Sequence, residues 1–183
     1  MLRNAGIQAE AVPARIDEEA LRAGLAEEEA SARDIADALA EAKARKVSRR
    51  RPEALVLGCD QTLEHRGEIL AKPVTLEQAR SQLLRLRGET HCLYSAVVLC
   101  HRGAPVWRHV GVARLTMRSF SDSYLARYLG RHWPAISESV GAYRLEEEGV
   151  RLFARIEGSH FTVLGLPLVE LLGHLIRIGE LEG

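Results

Sequence analysis

The sequence predicts an α/β or α+β domain built on a mixed β-sheet, and three observations carry that prediction. A continuous apolar run, Ala54 to Gly58, follows a breaker and reads as a strand covered on both faces. Two longer runs, Thr90 to Cys100 and Pro105 to Arg118, read as strands joined at His101–Ala104. Around them, helices announce themselves by capping spacings and by apolar residues three and four apart. The 183 residues suit one domain, or one two-lobed domain, and suffice for a real core.

The elements follow in order. Met1 to Asn4 resembles the last turn of a helix, with Gly6 as its C-terminal cap. Ile7 to Ala14 is a short strand or an extended loop. Asp17 to Glu29 is acidic and Ala-rich, a helix with a solvated face. Ser31 and Asp34 have capping-box spacing, and Ile35, Leu39, Ala42 and Val47 then recur at helical intervals. The basic run Arg49–Arg51, before Pro52, ends that helix at the negative pole of its dipole. The strand Ala54–Gly58 ends in Cys59-Asp60-Gln61-Thr62, and Leu63 to Leu70 forms a hairpin turning at Arg66-Gly67. Thr75 and Gln78 make a second capping box. Leu76, Ala79, Leu83 and Leu86 form one stripe, and Gly88 stops the helix. In the second long strand Ala113, Leu115 and Met117 alternate with Arg114, Thr116 and Arg118, so one face is wet. Ser121 starts a helix carrying Leu125, Tyr128 and Leu129. Val150, Leu152, Ala154 and Ile156 alternate with charged residues as a half-buried strand, and Leu168, Leu171, Leu172 and Leu175 face inward on a final helix.

Composition removes several function classes. Apolar residues at 46% and charged residues at 27% exclude disorder and coiled coil. Lys+Arg 25 balances Asp+Glu 25, which argues against coating a nucleic-acid polymer or adsorbing to a membrane. The tract Phe161–Ile178 is broken by Pro167, Glu170, His174 and Arg177 and does not span a bilayer. MLRNAGIQAE carries no signal-peptide core. Cys59, Cys92 and Cys100 form no CxxC and cannot all pair, so reduced thiols in a cytoplasm are expected.

Candidate chemistry centres on a few charged residues. Asp60 follows an apolar strand, where an acid can bind a metal or take a proton from water; it can equally cap a neighbouring loop. Lys72 is held extended by Pro73, which limits where its ammonium can point, although a lysine before proline is commonly just a surface residue. Lys43 lies on a helix whose other charges are expected on the surface. Asp17-Glu18 offers hard oxygens for a divalent cation or simply starts a helix. The seven histidines show no HExxH, and neither GxxxxGK[ST] nor GxSxG occurs. Position 62 is Thr, where a phosphatase with an Asp nucleophile often carries a second Asp. Cys59, beside the negative Asp60, reads as a packing residue.

Taken in order, these pieces resemble the Maf family of nucleoside triphosphate pyrophosphatases. LRNAGI is similar to the end of the family's first helix, VPARIDE to its Val-Asp-Glu segment, and ALAEAKA to the helix bearing its lysine. LGCDQTLEHRGEILAKP resembles the signature strand, acid, hairpin and Lys-Pro. GAYRLEEEGVRLFARIEGSHFTVLGLPLVELL resembles the Gly-Ala-Tyr segment, late strand and Gly-Leu-Pro helix. The resemblance implies a two-lobed α/β fold with an elongated mixed sheet and a central cleft. It implies hydrolysis of a nucleoside triphosphate to the monophosphate and pyrophosphate, assisted by a divalent cation (Mg²⁺ or Mn²⁺). The family's proton acceptor falls on Asp60, its phosphate-contacting lysines on Lys43 and Lys72, and an acid near the metal on Glu18. Relatives are commonly homodimers, and Ala113–Met117 is a candidate interface.

Two positions bear on the base. Where the thymidine- and uridine-triphosphate branch reads Asp-Thr and a Gln, this chain reads Asp60-Gln61 and Glu146, similar to the 7-methyl-GTP branch. A carboxylate can accept from N1–H and the exocyclic amine of guanine, so a guanine-type substrate, N7-methylated guanine included, is expected; Glu146 can equally belong to an exposed Glu146–Glu148 run. Family members open on a strand and a Ser-x-Ser-Pro-Arg-Arg-like turn that nothing here matches. The sequence joins the family pattern roughly fifteen residues in, about a strand, a turn and half a helix. Two expectations follow: an enzyme whose start was placed downstream, or a catalytically weakened nucleotide-binding regulator linked to cell division.

Overall fold

The computed structural model describes residues 1–182. A 3-10 turn, Arg3–Ala5, closes on Gly6 in the left-handed region at φ 79°, as the capping pattern predicts. The stretch 7–17 forms neither helix nor strand. Helices α1 (Glu18–Glu27) and α2 (Ala32–Ser48) follow. Then come β1 (Val56–His65), β2 (Glu68–Leu70), α3 (Leu76–Leu86), β3 (Thr90–His101) and β4 (Ala104–Met117). The chain ends with α4 (Asp122–His132), β5 (Phe153–Glu157), the short α5 (His160–Val163) and α6 (Leu168–Arg177). Five strands form one sheet in the order β2-β1-β3-β4-β5. The α/β class is as expected, and β1–β2 and β4–β5 pair antiparallel.

Local chemistry explains where the elements start and turn. Ser31, Thr75 and Ser121 each accept a hydrogen bond from the backbone N–H three residues on, which satisfies an orphan donor of the first helical turn. Two hairpins turn at Arg66-Gly67 and Arg102-Gly103, with φ 55° and 81° in the first and 52° and 78° in the second. Positive φ at both central residues matches the twist of the flanking strands, which is why a glycine occupies the second place in each.

The chain divides into two compact units. The first comprises residues 1–60, 95–111 and 165–183, and the second residues 61–94 and 112–164. The first unit buries Ile35, Ala36, Leu39, Ala40, Ala44 and Val47 of α2, the run Ala96–Cys100 of β3, and Leu168 and Leu171 of α6. There Trp107 stacks on the buried His174 at 4.6 Å, and Arg108 of β4 grips Asp37 and Glu41 of α2. The second unit holds an aliphatic core around Leu63, Leu83, Leu86, Leu93, Leu115 and Leu125, capped by Tyr128, Tyr143 and Phe153. Among the described residues no helix is long and apolar enough to cross a membrane.

Four expectations are corrected. The apolar run Ala54–Gly58 does not form a strand covered on both faces: β1 starts at Val56, Val56 and Leu57 are only half-buried, and the strand runs on through Asp60 to His65. It continues because Thr62, Leu63 and His65 are themselves buried beside the longer β3. The strand expected from Val150 is shorter and shifted. Residues Glu148–Leu152 form a 3-10 turn, Val150 is exposed, and Phe153 rather than Ala154 turns inward where a bulge at Thr116/Met117 resets the register. Leu76, in the first turn of α3, is exposed, and the inward stripe is Ala79, Leu83 and Leu86. Cys59 is exposed rather than packed, because strand alternation turns it away from the buried Gly58.

His91 sets a pH limit on the second unit. Its Nε2 bonds the Tyr143 hydroxyl at 2.8 Å, its Nδ1 is buried without a partner among the described residues, and burial, helped by nearby His65, pushes it down to about 4. Between that value and the ordinary 6.5 the unfolded chain binds a proton that the folded chain refuses. The contribution to stability is therefore complete above that range and is lost as pH falls through it, by an amount on the order of 3 kcal/mol. His91→Gln keeps a partner for Tyr143 but cannot titrate. Urea midpoints measured from pH 7 to pH 4 should fall less steeply for that variant than for the wild type, and parallel curves would refute the assignment.

Candidate active site

The site is built where α2 crosses β1. Alternation along β1 places Gly58 and Asp60 on one face and Cys59 on the other. A Cβ at position 58 would collide with the Ala40 carbonyl oxygen and lie 2.7 Å from the Ala44 nitrogen and 2.9 Å from its Cβ. Glycine at 58 is what lets the backbone of α2 lie against the strand. On α2, Lys43 sits four residues from Leu39 and from Val47, both buried, so the lysine belongs to the helix's inward stripe and not to its solvated face. Close approach of helix and strand then delivers Nζ of Lys43 to Oδ1 of Asp60 at 2.7 Å.

Helix α1 completes the cluster. Asp17 caps it by accepting from the Ala20 N–H at 3.0 Å. Glu18 and Arg22 lie four residues apart, on one helical face. Instead of pairing with each other they reach outward. Glu18 takes Nζ of Lys43 at 2.9 Å, and Arg22 Nη2 donates to Oδ2 of Asp60 at 3.0 Å. Two carboxylates and two cations thus alternate in a chain, Glu18–Lys43–Asp60–Arg22. The Asp60 side chain is 8% exposed, against 22% for Lys43, 36% for Arg22 and 45% for Glu18. Burial pulls the Lys43 ammonium down, but its hydrogen bonds to Asp60 and Glu18, and their charges, outweigh that and hold it above the ordinary lysine value.

A cavity of about 670 Å³ opens in the same unit; its lining includes Glu18, Lys43, Cys59, Arg15 and Arg51 together with aliphatic side chains such as Leu57, Val47 and Leu175. Its volume is in the range of small-molecule sites. Asp60 is not part of its wall and meets it through Lys43.

With this geometry in place, comparison with known proteins is decisive. The chain matches the family described as Maf-like protein over residues 1–178. The chain belongs to the Maf family. It is 58% identical over 181 residues to the nucleoside triphosphate pyrophosphatase of Roseobacter denitrificans, covering 99% of this chain and 91% of that one. It is 54% identical to the protein of the same name from Caulobacter vibrioides, covering 99% and 90%. It is also 51% identical to the 7-methyl-GTP pyrophosphatase of Mesorhizobium japonicum, covering 100% and 92%.

The structure brings together three of the residues singled out in this Maf sequence, Glu18, Lys43 and Asp60. Gln61, Lys72 and Glu146 lie in the second unit, and Asp17 is taken up as the cap of α1. Lys72 is exposed in the loop before α3 and makes no ion pair among the described residues. Gln61 donates from Nε2 to the carbonyls of Thr162 and Val163 at 3.0 and 3.1 Å, so its amide braces the α5 turn. Glu146 is exposed, while Glu147 pairs with Arg144 and Glu148 gathers Arg131, His132 and Arg151. Arg22 escaped the sequence reading. Its only sequence signal is the four-residue spacing from Glu18, which ordinarily denotes a pair within the helix.

The Gly58 contact generates a prediction. Gly58→Ala must push α2 away from β1, at a cost of about 1–3 kcal/mol. Loosening the Lys43–Asp60 contact should also raise the reactivity of Lys43 toward an amine-acylating reagent relative to exposed Lys72, read by mass spectrometry. Leu83→Ala, which damages the other unit by about 2–5 kcal/mol, should leave that ratio unchanged.

Proposed function

We propose that this Maf protein hydrolyses a nucleoside triphosphate to the monophosphate and pyrophosphate, with Asp60 and Lys43 as its central pair. The observation that carries the reading is the 2.7 Å contact between a nearly buried carboxylate and a lysine on the inward stripe of α2, at the edge of a small-molecule cavity. A nearly buried carboxylate is a costly feature for a fold to keep for stability alone. Phosphoryl chemistry gives it a use. Attack on a polyanionic substrate needs neutralisation of charge and an oriented water. Lys43 brings a cation to the place where the phosphates would sit. Asp60 can orient a water by accepting its hydrogen bond and can receive the proton as the oxygen attacks phosphorus. Lys72, free of any ion pair among the described residues, supplies a second charge for the phosphate chain.

The donor set also fits a divalent cation brought by the nucleotide. Glu18 and Asp60 converge on one ammonium, and their oxygens are the hard ligands that Mg²⁺ or Mn²⁺ takes. Such an ion needs only one or two carboxylates from the protein and finds its remaining ligands on substrate phosphates and water. When bound, such an ion would neutralise phosphate charge and acidify a coordinated water.

The finer reading is a guanine-type base, 7-methyl-GTP included. It is supported by Asp60-Gln61, by Glu146, and by the printed name of the Mesorhizobium relative. The exposed Glu146 carboxylate can accept two parallel hydrogen bonds from guanine, which a pyrimidine cannot supply.

The test is pyrophosphate release from a panel of triphosphates with Mg²⁺ or Mn²⁺. Asp60→Asn should lower the rate by about 100-fold or more. Equal rates for folded wild type and variant would overturn the reading. Within the panel 7-methyl-GTP should exceed dTTP and UTP, and Glu146→Gln should shrink that preference by about tenfold, the worth of one bidentate contact.

A further inference from the structure

We propose that Arg22 is a substrate-binding residue held in reserve: in the free protein its guanidinium rests on Asp60, and a bound polyphosphate draws it away. The proposal rests on the reading of Asp60 as the carboxylate of the active site. Three features of the first unit carry it. First, both oxygens of Asp60 already accept from cations, Oδ1 from Lys43 at 2.7 Å and Oδ2 from Arg22 at 3.0 Å. A carboxylate so occupied has little room for a water or a cation unless one partner leaves. Second, Arg22 is the partner able to leave. Lys43 is 22% exposed, on the inward stripe of α2, and bonded to two carboxylates. Arg22 is 36% exposed, and its single described ion pair is the one to Asp60.

Third, α1 itself is lightly anchored. None of its residues is buried, and the two ion pairs that Glu18 and Arg22 send to Lys43 and Asp60 tie it to the very groups that a substrate would recruit. The cluster Glu18–Lys43–Asp60–Arg22 is formally neutral. A triphosphate brings several negative charges, for which the planar fork of a guanidinium is the better-matched partner, because it can meet two phosphate oxygens at once. Arg22 would therefore exchange one oxyanion for another. The move exposes Oδ2 of Asp60 only when a polyphosphate is present, so that the carboxylate is uncovered by the substrate it serves.

Calorimetric titration separates this role from a structural one. The probes are a non-hydrolysable α,β-methylene triphosphate with Mg²⁺, the corresponding monophosphate, and inorganic pyrophosphate in a chelator. Arg22→Gln should weaken the triphosphate analogue and pyrophosphate at least about fivefold, the scale of one charge-assisted contact. It should leave the monophosphate unchanged, and Arg22→Lys should recover part of the loss. In the chelator, Asp60→Asn should tighten pyrophosphate by freeing Arg22, since Lys43 keeps Glu18, and most of that gain should vanish when Arg22→Gln is added.

Equal triphosphate affinity in wild type and Arg22→Gln, or an equal loss for the monophosphate, would overturn the proposal. So would an Asp60→Asn gain that persists undiminished without Arg22. Should Arg22→Gln fail to fold by circular dichroism, Arg22→Lys and Asp60→Asn decide: the first must bind the analogue more weakly than wild type, the second must bind pyrophosphate more tightly. If the wild type turns over triphosphates, needs Asp60 to do so, and still shows no Arg22 effect, this inference falls and the parent reading stands. If turnover does not need Asp60, both fall.

Discussion

The first unit is organised around one contact, the ammonium of Lys43 on the carboxylate of Asp60. A carboxylate that is 8% exposed would be costly without partners, because removal from water costs several kcal/mol even after relaxation. The fold offsets that cost with two cations rather than one, and then balances the second cation with Glu18. Every neighbouring feature serves that arrangement. Gly58 admits the helix, the alanines at 40 and 44 keep its face thin, and Leu39 and Val47 hold the stripe on which Lys43 is carried. The Ser31 cap fixes where the helix begins, and hence which of its residues faces the strand.

Both units bury an apolar core, and they differ in where their charges meet. The second is held by aliphatic and aromatic burial, with Tyr143 edge-on to Phe153 at a ring separation of 4.8 Å and His91 enclosed beside them. Its charged residues meet at the surface, where Glu148 serves Arg131, His132 and Arg151 at once. The first unit instead places its charges against the sheet. That difference has a functional sense. A rigid apolar body tolerates no rearrangement of its core, whereas ion pairs at partly exposed positions exchange partners readily when a more highly charged species arrives.

Much of the fold was legible in the chain. The three Ser/Thr caps, the two Arg-Gly turns, the inward set Ala113, Leu115 and Met117, and the Leu125–Tyr128–Leu129 face all stand where periodicity and turn chemistry put them. Two of the errors fall at strand ends, one at the start of α3 and one within β1. A strand ends where its partner stops offering hydrogen bonds, so β1 outlasts its apolar run, and the register of β5 yields to a bulge and to a 3-10 turn. Of the candidate site, Asp60 stood out by its place after an apolar strand, whereas Lys43 and Glu18 were singled out by the ordered family resemblance. Arg22 was not, since the same spacing from Glu18 serves an ordinary intrahelical pair.

By itself the sequence determined what can be encoded within about four residues: where helices begin, where hairpins turn, which face of a strand is dry, and which acids and cations are present. The ordered run of those pieces was also enough to indicate the family. Only the tertiary structure decided who meets whom. Lys43 and Asp60 are 17 residues apart and Arg22 and Asp60 are 38 apart, and nothing local joins them. They meet because a residue without a side chain at position 58 lets a helix lie on a strand, and because Glu18 and Arg22 on one face of α1 reach Lys43 and Asp60.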